Sequence, residues 1–268
     1  MEKTVKAAQI NNDIIDQVLN APTENEAPPI KITPPSDTLV NLPAGYITAS
    51  GEVARTAEVR ELTGRDEELI GKGGGAIKTY TTILRQATVS IGGAPVTEEM
   101  LDSLLTGDRD ALMVGIYKAT FGNEVELPGY CPTCAEFKAV AFNIDRDVKT
   151  KVLVDPIDDR TFTVEGKKST YLVTLPTGVL QKQLSTIDEN NNGEKNTLLL
   201  QNTVLEIDGK PVLGKSQIQS MGIVDRNKIS IQLNKRIPGP QFEDITLDCD
   251  VCGGEVVVPF NLGALFQL

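Results

Sequence analysis

The four cysteines of this chain fall into two Cys-x-x-Cys pairs, CPTC at 131–134 and CDVC at 249–252. Each pair closes the same stretch of sequence, because the chain carries one design twice. ILRQATVSIGGAPV (83–96) is echoed by LLLQNTVLEIDGKPV (198–212), and SLLTGDRDALMVGIYKATFG (103–122) by SMGIVDRNKISIQLNKRIPG (220–239). After the cysteines the copies end on AVAFNI (139–144) and VVPFNL (257–262). The offset is 116 residues at Gly93/Gly209, 117 at Asp108/Asp225 and 118 at Cys131/Cys249. So slow a drift marks an internal duplication, which brings two half-sites of one metal centre into a single chain.

A CxxC places two thiolates on one tight turn, and two such knuckles complete a tetrahedral four-sulfur shell at about 2.3 Å per Zn–S bond. The 114 residues between Cys134 and Cys249 exceed the spacing of a compact zinc ribbon. The duplication resolves this, since pairing the strands that follow the knuckles, Ala139–Ile144 and Val257–Leu262, is expected to join them. Pro132 in one knuckle and Gly253-Gly254 after the other suit tight turns with positive φ. The expected ligands of one structural Zn²⁺ per chain are therefore Cys131, Cys134, Cys249 and Cys252. The alternatives are disulfides or free thiols, and a redox dithiol. A redox CxxC sits at a helix N-terminus, whereas both pairs here run into strand-like sequence. A closed four-thiolate shell leaves no open position for catalysis.

Composition narrows the function from the other side. With 26 basic and 37 acidic residues the net charge is −11, which disfavours a nucleic-acid backbone as partner. The chain has no histidine, which excludes Ser-His-Asp and Cys-His catalysis, His-ligated metals and an imidazole switch. No run of 18 apolar residues and no charged-then-apolar leader occurs, so neither a membrane span nor a secretory signal is expected. No carboxylate pair stands out from ordinary surface acids, and an enzyme is not expected.

Three segments follow. Residues 1–43 are a docking arm: a short amphipathic helix with Ile10, Ile14 and Val18 on one side, then a stretch with six prolines from Ala21 to Pro43. Residues 44–147 are the first repeat. In it, 52–62 form a strand, Thr63 caps a helix with acids in its first turn, and the glycines at 71–75 make a turn between helices. GKGGGAIK lacks the phosphate-loop order GxxxxGK[ST]. Thr97 caps a short helix broken at Gly107. Asp108 caps the next helix, with Leu112, Ile116 and Ala119 on its inner face, as Ile229 and Leu233 are in the second copy. Asp108-Arg109 and Asp225-Arg226 are read as caps with a neighbouring arginine fixing the turn. Residues 148–268 hold a linker with an extra hairpin turning at EGKK, then the second repeat, which contains a polar loop at 188–196. The fold class expected is α+β, internally duplicated, joined by a zinc-ribbon-like four-cysteine site.

RELTGRDEE (60–68), LLTGDRDALMVGIYKATFG (104–122) and CPTC together resemble the T4-type baseplate hub or hub-assembly family of tailed phages. The positions that carry the likeness are Gly107, Asp108, Arg109, Leu112, Phe121, Gly122, Cys131 and Cys134, then Cys249, Cys252, Gly253 and Phe266. The resemblance spans roughly 55–268 and leaves the proline-rich arm outside. It implies a non-enzymatic hub- or wedge-type part in a hetero-oligomeric assembly with other phage tail and baseplate proteins. Such a part is made in the host cytoplasm and located in the virion, without nucleic acid or membrane. A non-virion assembly chaperone is the alternative, and a zinc-ribbon nucleic-acid adaptor a remoter one.

Overall fold

The computed structural model describes residues 38–72, 75–188 and 190–266. The expected helix with Ile10, Ile14 and Val18 lies outside the described residues. Strand structure begins inside the segment expected to be arm. β1 (Leu39–Ile47) buries Val40 and Leu42 while Leu39 and Asn41 face out. Pro43 is accommodated because the register of β1 against β2 (Val53–Val59) shifts between Asn41 and Tyr46. Its carbonyl still accepts from Leu153 N at 3.0 Å. The arm boundary is therefore corrected: Leu39–Pro43 belong to the first sheet.

Thr63 opens α1 (Gly64–Ile70), as its position before an acidic turn predicts. Its N and Oγ1 both donate to Asp66 Oδ2, at 2.8 and 2.7 Å, and Arg60 Nη1 reaches the same oxygen at 2.7 Å. The Arg60 guanidinium holds the buried Asp66 carboxyl well below the usual carboxylate range. After the turn at Gly71, α2 (Ala76–Ala87) buries Tyr80, Ile83, Leu84 and Ala87, an i, i+3, i+4, i+7 stripe. β3 (Thr88–Ile91) and β4 (Ala94–Pro95) then turn at Gly92-Gly93, giving an antiparallel sheet ordered β1-β2-β3-β4. Thr97 caps α3 (Glu98–Ser103), its Oγ1 accepting from Met100 N at 3.2 Å. α4 (Thr106–Phe121) follows, and Leu112, Met113 and Ile116 seal the core between helix and sheet.

The same succession returns after β5 (Glu124–Cys131), β6 (Glu136–Asn143), α5 (Ile144–Asp147) and β7 (Thr150–Lys151). β8 (Thr161–Glu165) and β9 (Thr170–Thr174) turn at the expected EGKK. α6 (Gly178–Leu184) and α7 (Asn192–Thr203) come next, then β10 (Val204–Ile207) and β11 (Lys210–Pro211). The second sheet is ordered β11-β10-β9-β8. The β8–β9 hairpin is part of this sheet, with β9 paired to β10. α8 (Lys215–Gln219) and α9 (Ile223–Arg236) follow, with Ile229 and Leu233 fully buried. Helix α7 claims half of the expected polar loop. Asn191 Oδ1 accepts from Glu194 N at 3.1 Å, and its Nδ2 donates to the Glu194 carboxylate at 2.9 Å, a reciprocal cap that starts the helix at Asn192. Short β12 (Gly239–Pro240) pairs with β7. β13 (Ile245–Asp248), β14 (Glu255–Val258) and α10 (Leu262–Phe266) end the described chain. Phe266 packs edge-on to Tyr117 of α4 at 5.5 Å between centroids. The chain is of mixed α/β class.

Neither expected aspartate cap is one. α4 starts at Thr106 and α9 at Ile223, so Asp108 and Asp225 lie inside the first turn and are buried. Each holds a distant backbone amide: Asp108 Oδ1 accepts from Ala44 N at 2.7 Å, and Asp225 Oδ1 from Lys167 N at 2.6 Å. The following arginines also match. Arg109 Nη1 donates to Leu101 O at 2.8 Å and Arg226 Nη1 to Ile218 O at 2.9 Å, each tying its helix to the one before. The electrostatics differ, because Asp225 gains a second donor in Tyr171 Oη at 2.9 Å whereas Asp108 Oδ2 meets none. Burial pushes the Asp108 carboxyl up to about 6, while the Lys167 amide and the Tyr171 hydroxyl hold Asp225 below its ordinary value.

Backbones meet closely where α4 passes the segment entering β12. A Cβ added at Gly107 would lie 1.6 Å from the Pro238 carbonyl oxygen. Because the obstruction is backbone, Gly107→Ala should cost at least the roughly 1–3 kcal/mol of ordinary overpacking. Gly64→Ala, with nothing within 4 Å, is the neutral control. A denaturant midpoint for Gly107→Ala equal to that of the control would contradict the contact.

Asp108 generates a pH prediction. Its folded pKa of about 6 exceeds the ordinary 3.8, so between those values the folded chain binds more protons than the unfolded chain. The associated stability is present below the lower value and lost as pH rises through the upper one. Between pH ~4.5 and ~7.5 the stability of Asp108→Asn relative to the parent should therefore improve by about 2 kcal/mol. Paired urea titrations at the two pH values measure the shift, and a constant difference would refute the assignment.

Candidate metal centre

Each knuckle is the turn of a hairpin. Cys131 ends β5 and Cys134 lies in the turn to β6; Cys249 and Cys252 form the turn from β13 to β14. A third antiparallel sheet, ordered β13-β14-β5-β6, sets the two hairpins side by side. The strands that meet are not those expected. β14 pairs with β5, the strand before the first knuckle, with Val257 opposite Tyr130. β6 lies on the outer edge, matched to β5 along all eight residues from Glu124↔Asn143 to Cys131↔Glu136. Gly129 makes the β5–β14 approach possible, since a Cβ there would sit 2.7 Å from Val256 Cγ1 and 2.9 Å from Val258 Cγ2.

The four sulfurs converge at this junction, all within 4.8 Å of one another. Cys131 Sγ lies 3.6 Å from Cys252 Sγ, and Cys134 Sγ lies 3.9 Å from Cys249 Sγ. A disulfide requires about 2.05 Å. A tetrahedron of thiolates around an ion at about 2.3 Å has sulfur–sulfur edges of about 3.8 Å. The donor set and its spacing therefore fit a four-coordinate metal ion. Cys131 and Cys249 are buried, while Cys252 is open to solvent. The residue after each second cysteine has positive φ, 57° at Ala135 and 69° at Gly253. In the first knuckle this conformation thus falls on an alanine rather than beside Pro132.

The surroundings favour sulfur-borne negative charge. Cys134 N points at Cys131 Sγ, and Gly254 N at Cys252 Sγ, each at 3.4 Å. Lys138 Nζ donates to Cys249 Sγ at 3.1 Å and lies 3.5 Å from the Asp250 carboxylate. The amides of Cys252 and Val251, with the Lys138 ammonium, pull the Cys249 thiol down to about 6. Cys134 goes the other way, pushed up to about 12, first by hydrogen bonding with Cys252 and then by burial and the remaining sulfurs. The sequence reading missed Lys138. This lysine comes four residues after Cys134, and the return of the hairpin along β6 carries it back to the sulfurs.

All four expected metal ligands are brought together, and the expected docking residues Ile10, Ile14 and Val18 lie outside the described residues. No helix among the described residues is long and apolar enough to cross a membrane. The family model for the T4 bacteriophage base plate protein matches residues 55–267, most of the chain including both knuckles. No curated protein and no solved structure gives a significant match.

Proposed function

The chain belongs to the T4 bacteriophage base plate protein family, and from that membership we propose that it is a non-catalytic structural part of a tailed phage's baseplate, of hub or wedge type. One Zn²⁺ held by Cys131, Cys134, Cys249 and Cys252 clamps it. The observation that carries the clamp is the sulfur–sulfur spacing of 3.6 and 3.9 Å, close to the edge of a zinc tetrathiolate. Bound zinc supplies charge neutralisation and a fixed tetrahedral geometry. The chain's own residues do the rest: two knuckles place the thiolates, two backbone amides and Lys138 orient them.

The duplication belongs to the same reading. It is supported by the recurring element order, by the matching strand order of the first two sheets, and by Asp108-Arg109 and Asp225-Arg226 at one position in α4 and α9. Each repeat contributes one knuckle, so zinc ties repeat to repeat. Structural zinc contributes on the order of 10–16 kcal/mol in small zinc peptides, enough to dominate a junction of a few strands. The segment before β1 is the arm that engages a neighbouring tail protein through Ile10, Ile14 and Val18.

Purified full-length protein should carry one zinc per chain by elemental analysis. Cys131→Ser should lose the metal and become insoluble or melt far lower; a soluble, metal-free variant with the parental melting temperature would refute the clamp. In particles purified from the producing phage, mass spectrometry should find the chain at a fixed ratio to other tail proteins. A chain abundant in the lysate yet missing from particles would establish the assembly chaperone instead. A variant lacking residues 1–37, which spares β1, should stay zinc-loaded but leave the particle; its retention at the parental ratio would sink the arm.

A further inference from the structure

The third sheet has two unlike faces. Inward, Val125, Leu127, Phe142, Ile245 and Val258 are buried in a core with Phe260. Outward, alternation along the strands leaves a strip uncovered. Phe137 is 76% exposed and Tyr130 42%, and their rings pack at a tilt across the β5–β6 pair with centroids 5.1 Å apart. Exposed Pro128 continues the strip along β5, and half-buried Val257, opposite Tyr130, carries it onto β14. Soluble surfaces rarely leave a phenylalanine and a tyrosine packed together in water without using them.

Charge identifies what covers the strip. Exposed Glu126 flanks it on β5, and exposed Glu255 and Asp248, opposite each other in register, flank it on β14 and β13. No lysine or arginine occupies an outward position of the four strands, because Lys138 points inward to Cys249 Sγ. A second copy of this face would set carboxylate against carboxylate, and a phosphate backbone would be repelled as well. An apolar centre with an all-acidic rim complements a protein surface with an apolar centre and a Lys/Arg rim.

We propose that the outer face of the β13-β14-β5-β6 sheet, centred on Phe137 and Tyr130, docks a neighbouring baseplate protein through an apolar patch ringed by lysine and arginine. This deepens, and rests on, the reading of the chain as a baseplate component. The aromatics supply the buried centre, and the rim carboxylates set orientation and partner choice.

The test replaces Phe137 in the full chain with the photo-crosslinking residue p-benzoyl-phenylalanine, expressed during infection, and irradiates purified particles. The expected product joins position 137 to one other tail protein, at a site with at least two Lys or Arg within reach. Glu126→Lys with Glu255→Lys should cut the cross-link at least tenfold, and reversing the contacted basic residues on the partner should restore it. Both substitutions are on exposed positions, so an unchanged melting temperature confirms that folding is intact. A cross-link to a second copy or to residues 1–37 would overturn the proposal, as would yields indifferent to charge reversal. Chain present in particles without any cross-link refutes this surface alone. Chain absent from particles refutes the baseplate reading, and this proposal with it.

Discussion

Four sulfurs within 4.8 Å of one another are the constraint on which the third sheet depends. As thiolates they repel at a range where even a surface-like dielectric gives a few kcal/mol per pair. As thiols they crowd weak donors together, and hydrogen bonding with Cys252 is the first cause that pushes Cys134 up to about 12, whereas the Cys252 and Val251 amides and Lys138 pull Cys249 down to about 6. A divalent ion removes that conflict. The need is sharpened by how little else joins the hairpins: β5 and β6 share eight register pairs, β14 and β5 one. The apolar core beneath, with Phe142 edge-on to Phe260 at 5.4 Å, resists separation but does not specify register. In the proposed clamp, metal geometry supplies that specification.

Asp108 and Asp225 show how one residue type, at the third residue of a helix in each case, takes on different physics. Both are buried in the first turn of a helix and hold one far backbone amide. Tyr171 completes the second site. The first is left with an unsatisfied Oδ2, and the Ala44 amide, with the Arg160 and Arg55 guanidiniums nearby, offsets its burial only in part. Removing one partner of a buried polar group costs more than the bond itself was worth. The first site therefore carries a pH-dependent penalty that the second lacks, although the residue and its helix position are the same.

What the sequence made legible was local. Knuckles, helix caps at Thr63 and Thr97, the EGKK turn and the inner stripe of Leu112/Ile116 and Ile229/Leu233 are set within a few residues. Misreadings came where a long-range contact overrides local preference. Proline content hid β1, because a shift in register accommodates Pro43. Asp before Arg reads as a cap until Ala44 of β1, or Lys167 of the β8–β9 turn, arrives from far along the chain. The partner of β14 could not be read from the strand after each knuckle, since Gly129, which permits the closer β5 approach, acts through an absent side chain. Lys138 was invisible for a similar reason: only the hairpin's return brings its ammonium to Cys249 Sγ.

The metal site and the outer face share strands, and this links their energetics. Cys131 faces inward and Tyr130 outward on consecutive residues of β5, so fixing one sulfur fixes the ring beside it. Lys138 and Phe137 stand in the same relation on β6. An aromatic pair on a loose hairpin would lose rotamer and backbone freedom on docking, at about 0.5–1.5 kcal/mol for each side chain immobilised. Rings carried on strands pinned at the knuckle have already lost much of that freedom during folding. Lys138 adds a second economy: by turning inward to neutralise thiolate charge, it leaves the outer face acidic throughout. In the proposed clamp, metal ligation would thereby shape both the rigidity and the sign of the surface on the other side of the same strands.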